Sequence, residues 1–467
     1  MLKRSFRNAL LLLSGEGVTR LLGFVTTAIL ARRLGVDAFG QIGFATAVLA
    51  YGVSLSDFGL VTTGSRRTAE SSNDPTTLAR RVLGARAVTG MIAACLVVTV
   101  ALLVPKPPQV RLLVAAYAVV TLIQAFSLEW LFFGLERTGR VALSRSLTSA
   151  IYFGLCLALV RGSADVLMVP AAFAVATATG VLFLAVLAAA RFSARALRPS
   201  LSGLRDTFKS SWPVGLAGFL IQAHVSCGVV FLGLLRSDAE TGLFTGASKL
   251  ALVFLTLDRV LYTIFLPVIA RTLASARERV REVVSDAARI ALAIGSPLLV
   301  GTATLAPWLI KVVLGTEYAD AAATLRLLGV FLPLTLVNSV FSYTVIASGR
   351  ERLFLRNVAI SAALSVVGSA ALTATIGPLG AAAALILGEA LMLLLMARDC
   401  RRIAGLHFDL RIASPILAGA CMLAAMLLFG RSAPVAALAA GLAVYVVTLF
   451  ATKGVTLEEI VHGGTNA

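Results

Sequence analysis

Residues 354–397 read FLRNVAISAALSVVGSAALTATIGPLGAAAALILGEALMLLLMA, and only Arg356 and Glu389 in them are charged. Each side of Gly377-Pro378 is an apolar run of about 20 residues, the length that crosses a ~30 Å hydrocarbon core as a helix. Such runs recur almost end to end. The 467 residues are 58% hydrophobic and 14% charged, with a mean hydropathy of +0.92, whereas soluble domains carry roughly 25% charged residues. The expected fold is an all-α polytopic membrane protein, with too little remaining chain for a soluble domain.

Charge, Pro and Gly delimit about 14 transmembrane spans: 8–31, 41–64, 82–104, 112–133, 141–160, 166–190, 212–235, 242–266, 287–310, 327–348, 354–376, 379–397, 413–430 and 434–451. The basic N-terminus, Met1 to Arg7, leads into an apolar run that holds Glu16 and Arg20 and lacks a small-residue cleavage site. It reads as a first helix and not as a removed signal peptide. Alternate loops collect 26 Lys and Arg on the side of both termini against nine opposite, so the positive-inside rule places both ends in the cytoplasm. The net charge of +18 fits cytoplasmic loops meeting anionic lipid head groups. No nucleic acid partner is expected, because the loops are too short for a binding module. The five cysteines are scattered, with no metal or disulfide spacing.

The chain repeats across its longest basic linker, 191–211. Gly40 pairs with Gly242 at an offset of 202, Arg86 with Arg289 at 203, and Gly134 with Gly349 at 215. The expected organisation is an N-terminal six-helix lobe (1–190), the linker (191–211), a second six-helix lobe (212–397), and two further helices with a short tail (398–467). Repeats of even helix number are related by an axis along the membrane normal.

Ionisable residues within spans are costly, about 2.5–3.5 kcal/mol each on insertion scales, and they face a cavity or a partner. Arg20 shares a helical stripe with Glu16, Gly23 and Thr27, which suits either an internal ion pair or a cavity wall. Lys249 and Arg259 share a stripe with Thr245, Thr256 and Thr263, and span seven offers Gln222 and Ser226. With Arg86, Arg145 and Arg289 these cations describe a basic cleft. Guanidinium groups grip phosphate oxygens in pairs, so the cleft reads as an anion site for a phosphate or pyrophosphate head group. Snorkelling to the interface is the alternative for Arg86, Arg145 and Arg289. Asp57, Glu129 and Glu389 are the candidates for ion coupling, and Asp258 reads as a packing or topology residue. No phosphate loop, HExxH, Cys-x-x-Cys or GxSxG occurs, so the expectation is transport without catalysis, cofactor or metal.

Several stretches together resemble the Wzx-type polysaccharide (O-antigen) flippases of the multidrug/oligosaccharidyl-lipid/polysaccharide exporter superfamily. They are Thr19-Arg20-Leu21-Leu22-Gly23-Phe24, Ala31-Arg32-Arg33-Leu34-Gly35 with Phe39-Gly40, and Ser56-Asp57-Phe58-Gly59-Leu60. Glu129-Trp130-Leu131-Phe132-Phe133-Gly134, Glu240-Thr241-Gly242-Leu243-Phe244 and Leu314-Gly315-Thr316-Glu317-Tyr318 follow in order. The resemblance implies an inner-membrane flippase for undecaprenyl-pyrophosphate-linked oligosaccharide, working by alternating access between two lobes. Its central cationic cavity would correspond to Arg20, with Lys249 and Arg259. A polysaccharide polymerase and chain-length machinery are the partners implied. Lipid II flippases of the superfamily usually carry Arg-Asp where this chain has Thr26-Thr27, and multidrug exporters typically have twelve helices and less basic cavities.

Overall fold

The computed structural model describes the backbone of residues 2–70, 75–192, 198–405, 412–428 and 433–452, with side chains from residue 17 onward except Pro75. The side chain of Glu16, part of the basic linker and the C-terminal tail from 453 lie outside the described residues. All regular structure among the described residues is helical: α1 Leu2–Asp57, α2 Leu60–Glu70, α3 Pro75–Leu103, α4 Pro108–Ala125, α5 Glu129–Gly134, α6 Thr138–Leu159, α7 Met168–Phe192 and α8 Leu204–Leu235. There follow α9 Asp238–Phe254, α10 Thr256–Ser275, α11 Val280–Val313, α12 Ala321–Ala347, α13 Glu351–Ala404, α14 Ala413–Leu428 and α15 Pro434–Ala451, with short 3₁₀ turns between some of them.

Eleven helical stretches among the described residues are long and apolar enough to cross a membrane. Two of them run to 54 residues, about 80 Å at 1.5 Å per residue, which is far more than a bilayer needs. Both bend. In α1 the break is Gly35 (φ 75°, ψ 175°). In α13 it is Ile376–Gly377, with φ 57° at Gly377, where Pro378 removes a backbone donor and disfavours helix in the residue before it. The reversal in α13 is complete: Asp399 on the second arm accepts hydrogen bonds from Arg356 (2.9 Å) and Asn357 (2.8 Å) on the first.

Packing divides the chain into a unit of Met1–Thr245 and a unit of Gly246–Ala467. In the first, α1 runs through the centre against α3, α4, α6 and α8. Leu83, Trp130, Leu131, Phe132 and Leu184 form a core among the other helices of the unit. In the second, α12 packs between α11 and α13, and α14 and α15 form a pair laid on α11. Side chains such as Leu103, Leu182 and Leu394 are exposed, as lipid-facing positions should be.

Two expected spans of the first unit are interrupted. The stretch 41–64 breaks at Phe58 and Gly59, with φ of 36° and 78°, and 112–133 breaks between α4 and α5 at residues 126–128. The first break is held by a neighbour. A Cβ at Gly215 of α8 would lie 2.5 Å from the Phe58 carbonyl, and one at Gly59 would lie 2.6 Å from the Ser211 carbonyl oxygen. Only hydrogen at both positions lets α8 seat against the broken helix, and this contact explains why α8 packs with the helices before it.

Candidate functional site: charges at membrane depth

Both interrupted helices leave polar backbone ends inside an apolar unit, and such orphan groups demand partners. Arg86 on α3 supplies them. Its side chain is 5% exposed; Nε donates to the Ala125 carbonyl (2.9 Å) and Nη2 to that of Gln124 (2.8 Å). These are the last carbonyls of α4, where a cation also complements the helix dipole. Nη1 donates to Asp57 (2.9 Å), and the same Asp57 oxygen accepts the Val61 amide in the first turn of α2 (2.9 Å). Arg86 and Asp57 thus join the end of one helix to the start of another. Close by, Arg145 grips both oxygens of Glu129 (2.9 and 2.7 Å) and lies 5.7 Å from the Phe133 ring centre. Arg289 on α11, also almost wholly buried, pairs with Asp286 at 3.0 Å.

The other three expected cations stand differently. Arg20 on α1, Lys249 on α9 and Arg259 on α10 have exposed side chains. Lys249 and Arg259 do not share one uninterrupted helical stripe, because a turn at Leu255 separates α9 from α10. Of the expected polar wall, Gln222 and Ser226 are half-buried and hydrogen-bonded to each other. Thr27 returns its hydroxyl to the Gly23 carbonyl (2.9 Å).

Two arrangements escape a reading of the sequence. In the second unit, Asp258 on α10 accepts a hydrogen bond from Tyr343 on α12 (2.8 Å) and another from Ser339. Asn338, also on α12, donates to Glu389 on α13 (2.8 Å). Glu389 is 5% exposed. The available signal was compositional: an Asn and a Tyr stand among apolar residues of one span. In the first unit, Asp238 at the start of α9 accepts from Lys106 (2.6 Å) and Gln41 (3.0 Å). It thereby ties three segments together at one end of the unit. Replacing Asp238 with Ala strands a Lys106 side chain only 12% exposed. The expected loss is about 1–3 kcal/mol, read as a lower melting temperature of the purified protein, and Asp238→Glu should recover part of it.

A family model described as "Polysaccharide biosynthesis protein" matches residues 5–273. A curated protein of Escherichia coli (strain K12), the "Putative O-antigen transporter", is 23% identical over 401 residues, covering 84% of this chain and 95% of that one. Among solved structures, lipid II flippase MurJ in an inward closed conformation matches with a TM-score of 0.74 at 13% identity, over 94% of this chain and 98% of that chain. An inward-facing multidrug resistance MATE family transporter of the MOP superfamily matches with a TM-score of 0.67 at 15% identity, over 83% and 95%. At such identities the structural likeness shows the fold. The matched proteins are transporters and flippases and not enzymes, and the chain is a multi-pass membrane protein built on their fold. With more than half of its residues matched by the family model, the chain belongs to the polysaccharide biosynthesis protein family.

Proposed function

We propose that the chain moves an undecaprenyl-pyrophosphate-linked oligosaccharide across the bacterial inner membrane by alternating access, for synthesis of a surface polysaccharide. The observation that carries this reading is the sorting of its membrane-depth cations. Arg86 and Arg289 are almost wholly buried, whereas Arg20 in the first unit and Lys249 and Arg259 in the second are exposed. The exposed cations are the ones an acidic head group can reach; the buried ones hold the helices. In this reading each arm of the bent α1 and α13 crosses once and α14 crosses as well, making fourteen crossings, and the excess of basic residues in alternate loops puts both termini in the cytoplasm. A deletion strain should accumulate a lipid-linked saccharide on the inner leaflet, and reconstituted protein should move it between leaflets of a vesicle. Efflux of cationic dyes without saccharide movement would instead make the chain a drug antiporter.

The same sorting selects the coupling carboxylate. Asp57 and Glu129 are each committed to a guanidinium partner within the scaffold. Glu389 is buried on α13 and accepts a hydrogen bond from the Asn338 amide (2.8 Å). Glu389→Gln is expected to abolish the dependence of transport on a proton gradient while downhill exchange persists. Parental gradient dependence in that variant would remove Glu389 from coupling.

A further inference from the structure

The α14–α15 pair meets α11 unevenly. At one end the three helices are closed on each other: the Tyr445 hydroxyl reaches Ser296 (3.0 Å) and donates to the Ala293 carbonyl (2.7 Å), with Ala418 and Met422 buried around it. Two to three turns further along α11 the helices part, and a cavity of about 520 Å³ opens among Thr304, Trp308, Leu423, Met426 and Ala437, with Arg326 of α12 at its edge. The cavity touches the last turns of α11 and α14 and the first turns of α12 and α15. A bilayer spanned by these helices would have one head-group boundary near this level.

We propose that this wedge is a binding site for an anionic diacyl phospholipid, one acyl chain filling the cavity and the phosphate resting on Arg326. A void this size among apolar side chains leaves the atoms lining it without dispersion partners, and hydrocarbon is the solvent around it. The way in is open to that solvent, since Leu427, Leu428 and Val435 at the helix ends are 67%, 87% and 66% exposed. Arg326 decides which lipid stays. Among the described residues it is the sole charged one lining the cavity, it is exposed, and it makes no hydrogen bond or ion pair with another described residue. A tryptophan and an arginine at interfacial height are the pair expected to anchor a phosphoester head. Diacyl lipid is what the bilayer supplies there, and the site does not depend on the cargo proposed above.

The test uses the purified full chain and counts retained lipid by native mass spectrometry after exposure to phosphatidylglycerol, phosphatidylethanolamine or undecaprenyl phosphate. The parent protein should retain phosphatidylglycerol over phosphatidylethanolamine and melt at a higher temperature with it. Arg326→Gln should weaken phosphatidylglycerol retention about tenfold, the loss of one charge-assisted contact, and Arg326→Lys should recover most of it. Leu423→Trp, which fills the wedge from its rim, should reduce retention of both phospholipids. Undiminished preference in Arg326→Gln would overturn the assignment. So would displacement of phosphatidylglycerol by undecaprenyl phosphate in the parent, which would make the wedge part of the cargo's route.

Discussion

Replacing Arg86 with alanine is expected to remove most of the folded protein from the membrane, at a cost of about 3–5 kcal/mol. The size follows from what the side chain holds. Two carbonyls at the end of α4 and the carboxylate of Asp57 share one guanidinium that is almost wholly buried. Its removal takes the ion-pair partner from Asp57 and the guanidinium donor from the buried Ala125 carbonyl, while Gln124 keeps only the Ser127 amide (3.0 Å), and a buried acceptor left unpaired costs about 1–3 kcal/mol. Lysine is not a substitute, since a point charge with one nitrogen cannot span three acceptors. Arg86→Lys should therefore recover only part of the stability. Asp57→Asn should cost less than Arg86→Ala, because Arg86 keeps its two carbonyls. The double variant should cost less than the sum of the singles by about 1–3 kcal/mol. Melting of the detergent-purified protein and its abundance in membranes measure all four. An Arg86→Ala protein that melts with the parent but fails to transport would move Arg86 from the scaffold to the cargo path.

The helical class and most breaks between spans were legible because they depend on local chemistry. Gly35 and Gly377-Pro378 interrupt apolar runs, and the structure bends at both. The break at Phe58 was not legible, since a phenylalanine adopts φ 36° only where the surroundings impose it, here the glycine of α8 seated against it. Charge pairing failed to show for the same reason. Asp57 and Arg86 are 29 residues apart on different helices, and Asn338 and Glu389 are 51 apart; no periodicity joins them. The stripe through Lys249 and Arg259 assumed one uninterrupted helix, and a single turn at Leu255 separates the two. Residue type located the charges within the apolar spans, while their division into buried and exposed groups belongs to the tertiary structure.

That division makes the second large effect the opposite of the first: Arg20→Ala should abolish transport and leave stability untouched. Arg20 lies on the first arm of α1 with an exposed side chain. The face around it is open, because a Cβ added at Gly17 or Gly23 would meet nothing within 4 Å. Because the side chain is exposed, alanine should change the melting temperature far less than Arg86→Ala does. An acidic head group would gain charge-assisted contacts from this guanidinium worth about 1.5–3 kcal/mol, or roughly 10–150-fold in affinity. The loss should therefore appear as a failure of the variant to clear lipid-linked saccharide from the inner leaflet at parental abundance. Arg20→Lys should retain intermediate activity, keeping the charge but losing the two-pronged grip on phosphate oxygens. If Arg20→Ala instead unfolds as Arg86→Ala does, Arg20 is a scaffold residue; if it transports normally, the cationic path runs without it.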